Sequence, residues 1–156
     1  MTQEQRSAIV LACSELINRF AVHNDMGQHR ELANLFIEQG RYARPAAPDS
    51  FTEGREAIYR NFADRPRDKI TRHLITNIII EVIDSSSARG LCYVTQFSGN
   101  LDNPAEAHGL YANPVQLIGE YHDDFVLTPD GWRFRQRSGC LSLTVRQMHA
   151  GLSSSN

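Results

Sequence analysis

The chain predicts an α+β fold in which helices come first and a run of antiparallel strands follows. Two observations carry this. In the first third, apolar residues recur at three- and four-residue spacing; beyond Pro66 they fall in long β-branched and alternating runs separated by the hairpin turns "DSSS" and "TPDG". Length supplies a third: 156 residues make one domain, and such a chain buries roughly 70% of its unfolded surface. Residues 1–150 are expected to form this single domain, and 151–156, "GLSSSN", a disordered polar tail.

The first helix is expected from residue 3 to about 24, where Ile9, Cys13, Leu16, Ile17 and Phe20 form one apolar stripe. The stretch "HNDMGQ" ends it, because Asn24, Asp25 and Gly27 are turn and capping residues. A shorter second helix from about Gln28 would set Leu32, Leu35 and Phe36 on one side. After Gly40, "RYARP" reads as a brief extended piece, 45–51 as a loop, and "TEGREAIYRNFADR" as a third helix with Ile58 and Phe62 inward. Four long strands follow at about 69–83, 88–98, 116–128 and 132–145, with a longer connection over 100–114. A curved sheet wrapped on the helices before it leaves a hollow.

Composition narrows the function classes. A 41% hydrophobic fraction, 22% charged residues and a net charge of -2 describe an ordinary globular chain with no electrostatic attraction to nucleic acid or an anionic membrane. Cys13, Cys92 and Cys140 lie far apart among apolar neighbours and read as buried reduced thiols. The N-terminus lacks a signal-peptide layout and no apolar run approaches a membrane span of ~20 residues, so a cytoplasmic location is expected. With no glycine-rich phosphate cradle and no G-x-S-x-G, neither a nucleotide cofactor nor a serine nucleophile is implied, and no cofactor is expected. His23, Asp25 and His29 lack a recognised ligand spacing, so no metal is expected either.

The longest β-branched run, "KITRHLITNIIIEVI", carries an imidazole. Strict alternation puts His73, Ile75, Asn77 and Ile79 on one face and Leu74, Thr76, Ile78 and Ile80 on the other. Both faces are largely apolar, which predicts a strand covered on both sides with His73 and Asn77 pointing inward. On the third long strand Leu117, Tyr121, Phe125 and Leu127 share a face with Asp123, which needs a partner there, plausibly an arginine. The last strand alternates Trp132, Phe134 and Gln136 against Arg133, Arg135 and Arg137, placing the arginines toward solvent or a neighbouring subunit. The basic stretch "RPRDKITR" reads as a solvated loop or as an attractor for an anionic substrate tail at a pocket mouth.

With these elements in this order, and with "DMGQHRELANLF", "GREAIYRNF", "TRHLITN" and "GEYHDDFVLTPDGWRFRQR", the chain resembles the SnoaL-like branch of the NTF2-like superfamily over nearly its whole length. The resemblance implies a cone: three N-terminal helices packed into a bent antiparallel sheet that encloses a mainly apolar pocket, commonly in a homodimer built through the outer sheet. Polyketide cyclases, scytalone dehydratase, ketosteroid isomerase, limonene-epoxide hydrolase and the small subunits of ring-hydroxylating dioxygenases share that fold, so the site must decide the reaction.

The resemblance to the dehydratase-like members implies that Asp25 reaches His73 inside the cone. A carboxylate that accepts from one imidazole nitrogen fixes the tautomer and leaves the other nitrogen as base or acid. The plainer readings are that Asp25 caps the second helix and that His73 is a structural core histidine. Phe20 stands where such dehydratases carry a tyrosine, and substrate contacts are expected from Phe20, Tyr42, Asn77, Tyr93 and Tyr121, with Asn77 or Tyr93 donating to a developing enolate. The leading expectation is a cofactor-independent lyase or isomerase acting on a small hydrophobic, hydroxylated carbonyl compound. One alternative, favoured by Phe20, is a non-catalytic ligand-binding or assembly module like a dioxygenase small subunit. An epoxide-type hydrolase comes third, since the interior strand positions supply few acids.

Overall fold

The computed structural model describes residues 1–107 and 109–146. Helix α1 (Gln3–Asp25) opens on a capping box: the Thr2 hydroxyl accepts from the Gln5 N–H and the Gln5 side chain accepts from the Thr2 N–H. Its stripe of Ile9, Cys13, Leu16, Ile17, Phe20 and Ala21 is buried, as the spacing predicts. The helix stops at Met26 and Gly27, the latter at φ +68°, a left-handed turn that glycine takes without a Cβ clash. That stop leaves Asp25 as the last helical residue.

Helix α2 (His29–Ala33) is shorter than its apolar pattern predicts. Leu35 and Phe36 leave it because the sheet captures their backbone: the Phe134 N–H donates to the Leu35 carbonyl at 2.8 Å, and strand β1 (Phe36–Ala43) starts beside the last strand. Strand β2 (Thr52–Glu53) and helix α3 (Arg55–Ala63) follow. Arg55 ties α3 to β1 by donating to the Phe36 carbonyl at 2.8 Å, and Arg30 pairs with Glu56 to join α2 and α3.

The remaining strands are β3 (Lys69–Val82), β4 (Ser87–Asn100), the short β5 (Ala105–Glu106) and β6 (Gly109–Leu110), β7 (Val115–Thr128) and β8 (Gly131–Arg146). The main sheet runs β2-β1-β8-β7-β4-β3 and is curved and open. It is mixed rather than purely antiparallel, because β1 enters beside β8 in the same direction. Its inner face packs on α1, with Phe20 at the centre of an aromatic cluster: the rings of Phe36, Tyr42, Phe62, Tyr121 and Phe134 lie 5.7 to 6.1 Å from its centroid. Such edge-on aromatic pairs contribute beyond their buried area.

Two register slips decide which side chains face inward. Between Thr76 and Ile79 the β3–β4 ladder shifts, and Asn77 takes φ +53°, a conformation that asparagine tolerates better than most residues. The inward face of β3 is therefore His73, Ile75, Ile78, Ile80 and Val82, while Asn77 and Ile79 turn out. The expectation that both faces of β3 are covered is overturned as well: Leu74 and Ile79 are 53% and 63% exposed.

The second slip, between Asp124 and Phe125 in the β7–β8 ladder, passes over Arg135 and turns Arg137 inward. Arg137 is completely buried, which corrects its expected place toward solvent, and it supplies the arginine that Asp123 requires, Nε lying 3.7 Å from Oδ1. Its guanidinium also lies 4.0 Å from the Tyr121 ring centroid and 4.5 Å from that of Phe20, so the charge is held by aromatic faces as well as by the carboxylate. Cys13 and Cys92 are buried and Cys140 is exposed, against the expectation for the third thiol. Burial, with the Asp123 charge adding to it, pushes the Cys13 thiol up to about 12. The expected polar tail lies outside the described residues, and among those described no helix is long and apolar enough to cross a membrane.

Candidate functional site

Asp25 leaves the end of α1 pointing at the start of β3. Its Oδ2 accepts from the His73 backbone N–H at 2.8 Å, and its Oδ1 accepts from the Thr71 hydroxyl at 2.9 Å and lies 2.5 Å from His73 Nδ1. The carboxylate is thus engaged three times by one strand. It does not cap α2, whose N-terminus has no side-chain cap, so the capping alternative is set aside. The side chains of Asp25 and His73 are 8% and 12% exposed, which makes this a desolvated pair rather than a surface contact.

Burial would push the Asp25 carboxyl up. The hydrogen bonds from the His73 ring and backbone, the His73 charge and the Thr71 hydroxyl outweigh it and hold the group below the usual carboxylate range. Asp25 is therefore an acceptor, so Nδ1 of a neutral His73 carries the proton and Nε2 carries the lone pair.

His73 lines a cavity of about 140 Å³ between β3, β4, β7 and the segment after β1. That is close to the size of an apolar hole that holds benzene and below the usual range of drug-sized pockets. The floor and walls include Tyr42 and Tyr121, both nearly fully buried, together with Val94, Leu117 and Leu141. Burial pushes the pKa of both phenols up, so each is a neutral O–H donor at working pH, and the Tyr121 hydroxyl and the Arg65 guanidinium both donate to the Tyr42 oxygen. Gln96 sits opposite His73 in the β3–β4 ladder and joins the lining; Asn24 lines it too. Arg44 and Arg65 complete the cavity wall. The expected apolar pocket is therefore apolar on one side only.

Of the residues predicted from the sequence, the structure brings together Asp25, His73, Tyr42 and Tyr121. Phe20 packs in the aromatic core and is not part of the lining. Asn77 is turned out by the bulge, and Tyr93 is 45% exposed on the outer face, because its neighbours Cys92 and Val94 take the inward positions of β4. Neither is placed to meet a substrate at His73. Sequence reasoning gave no role to Gln96 or Arg44; unbroken pairing from the turn at 84–87 sets Phe97 opposite His73, and only the bulge between Thr76 and Ile79 brings Gln96 there. His23, Asp25 and His29 do not converge: His23 bonds Gln28, His29 lies by Phe62, and among the described residues no group of three such side chains is placed to hold an ion.

Residues 5–138 match the model of the SnoaL-like domain family. No curated protein matches the sequence. Among solved structures, a scytalone dehydratase candidate from Novosphingobium aromaticivorans superposes with a TM-score of 0.78 at 20% identity, covering 94% of this chain and 93% of the other. A type 2 hexachlorocyclohexane dehydrochlorinase, LinA, gives 0.77 at 15% identity and 95% coverage of both chains. A candidate aromatic ring hydroxylase from N. aromaticivorans gives 0.70 at 16%, covering 88% and 92%. At these identities the likeness is one of fold.

Proposed function

We propose that this chain, which belongs to the SnoaL-like domain family and has the NTF2-like fold, is a cofactor-independent lyase or isomerase acting on a small hydroxylated carbonyl compound. The single observation that carries the reading is the Asp25–His73 contact at the wall of a cavity lined by two buried phenols. His73 Nε2 takes a proton from the carbon next to the substrate carbonyl, and the electron pair moves into the carbonyl to form an enolate. Tyr42, itself buried and already in place, donates its O–H to that oxygen as the charge develops. In a dehydration the enolate then collapses, the C–O bond to the β-hydroxyl breaks, and His73 returns its proton to the departing oxygen, releasing water. An isomerase differs only in returning the proton to carbon.

Asp25 contributes position and charge: it holds the imidazole in one tautomer and stabilises the imidazolium formed midway. The cavity volume favours a substrate about one ring in size over a steroid. A filled pocket or an Asp25 facing solvent would support a non-catalytic module; the open cavity and the Asp25–His73 contact favour the catalytic reading instead.

The outer face of β3 and its neighbours, with Leu74, Ile79, Tyr93 and Leu143 exposed, supports a homodimer closed through that face, and a cytoplasmic location stays with the sequence reading. The direct test of the activity is turnover of a panel of β-hydroxy ketones and aldehydes by wild type and His73→Ala. Loss of turnover with an unchanged melting curve supports the reading; an active His73→Ala protein contradicts it.

A further inference from the structure

Two guanidinium groups line the His73 cavity, and neither has a carboxylate in ion-pair contact among the described residues. Their neighbours behave otherwise: Arg41 pairs with Glu53 and Arg55 with Glu38. No aspartate or glutamate lines the cavity, and the nearest acid of the site, Asp25, is spent on His73 and Thr71. Arg65 is held in place: it donates from Nε and Nη2 to the carbonyl and side-chain oxygens of Asn61 at 3.1 and 2.7 Å, lies 4.1 Å from the Phe62 ring centroid and bonds the Tyr42 hydroxyl, which sets its charge at the cavity wall. The backbone at Arg44 is fixed by the next residue, since Pro45 packs on Gly139 where a Cβ would meet it at 2.5 Å, while the Arg44 side chain itself is exposed at the cavity wall.

From this arrangement we infer that the substrate is an organic acid, its carboxylate held by Arg44 and Arg65 while its hydroxylated carbonyl end lies at His73. The inference rests on reading the His73 cavity as the substrate site and adds the substrate's charge to it. Planar guanidinium forks match a carboxylate in geometry as well as sign. The basic stretch from Arg65 to Arg72 adds a local positive field, the role of anion attractor among its two sequence readings.

The test is calorimetric titration with benzoate and with benzamide, which share ring and size and differ in charge. Wild type is expected to bind benzoate at least tenfold more tightly than benzamide, with the preference weakened by salt. Arg44→Gln is expected to reduce that preference and Arg44→Gln/Arg65→Gln to erase it, benzamide binding being unchanged. Arg44 is exposed, so its single variant guards against misfolding of the double one. Equal binding of the two compounds by wild type, binding of neither, or a preference that survives both substitutions overturns the inference. Turnover plays no part in the measurement: a His73→Gln protein keeps the preference, and a failure of the lyase reading would show in activity alone.

Discussion

Asp25 Oδ1 lies 2.5 Å from His73 Nδ1 while Asp25 Oδ2 holds the backbone N–H of the same residue, so one carboxylate fixes both the ring and the strand that carries it. A helix end and a strand start are thereby joined by a contact that also sets the tautomer of the ring. In the proposed mechanism stability and activity are coupled at this point of the fold, and the coupling can be measured.

Because Asp25 ionises below the usual carboxylate range in the folded protein, the unfolded chain binds its proton first as the pH falls. The stabilisation is fully present above the unfolded value of 3.8 and is lost as the pH drops through the depressed folded value. Asp25→Asn is expected to lower the stability at neutral pH by about 1–3 kcal/mol and to flatten the acid limb of a stability–pH profile obtained by urea unfolding. A variant whose acid limb matches wild type would show that the contact contributes nothing to folding.

Asp123 has the opposite sign. Burial pushes its carboxyl up to about 6 against the Arg137 charge, so between about 4 and 6 the folded state holds a proton that the unfolded chain has released. Its contribution is favourable below 3.8 and declines as the pH rises through 6. Arg137→Met leaves Asp123 buried without its cation and is expected to cost about 3–5 kcal/mol, whereas Arg137→Met/Asp123→Asn should recover a large part of that loss. Guanidinium unfolding of the four proteins at neutral pH reads the cycle; additive losses would show that the pair is not coupled.

In the proposed mechanism Tyr42, which lines the His73 cavity, donates to the developing enolate. Tyr42→Phe keeps the ring in the aromatic cluster and removes only the hydroxyl, so kcat should fall by about 10²–10³ with little change in melting temperature. A rise confined to KM would make Tyr42 a binding residue instead.

The exposed outer face predicts association. Leu74→Glu should convert a dimer in sedimentation velocity to a monomer while leaving the far-UV spectrum unchanged, since Leu74 already faces out of its own fold. A wild-type protein that sediments as a monomer at micromolar concentration would remove the dimer from the account.

The long strands were legible because β-branched runs and the turns at 84–87 and 128–131 mark their ends, and α1 because its apolar stripe and the Asn24–Gly27 stop are local signals. Asp25 and His73 were legible through resemblance alone: their contact joins residues 48 positions apart, which no spacing rule anticipates. The misplacing of Asn77 and of Arg137 has one cause. A period-two reading assumes an unbroken ladder, and each bulge inverts every side chain beyond it, so Asn77 turned out and Arg137 turned in. Asparagine between β-branched neighbours is the one hint of the first bulge. Phe36 was misassigned for a different reason, since the pairing that takes it into β1 is supplied by β8, about a hundred residues later.

In the proposed site Asp25 holds His73 with its proton on Nδ1 and its lone pair on Nε2, facing the substrate. The most direct test is the ¹⁵N spectrum of the His73 ring, assigned with His73→Gln, in wild type and Asp25→Asn at alkaline pH, where the imidazole is neutral. The account predicts a protonated Nδ1 and a bare Nε2 in wild type, and loss of that preference in Asp25→Asn. A wild-type ring protonated on Nε2, or the same tautomer ratio in both proteins, would contradict it.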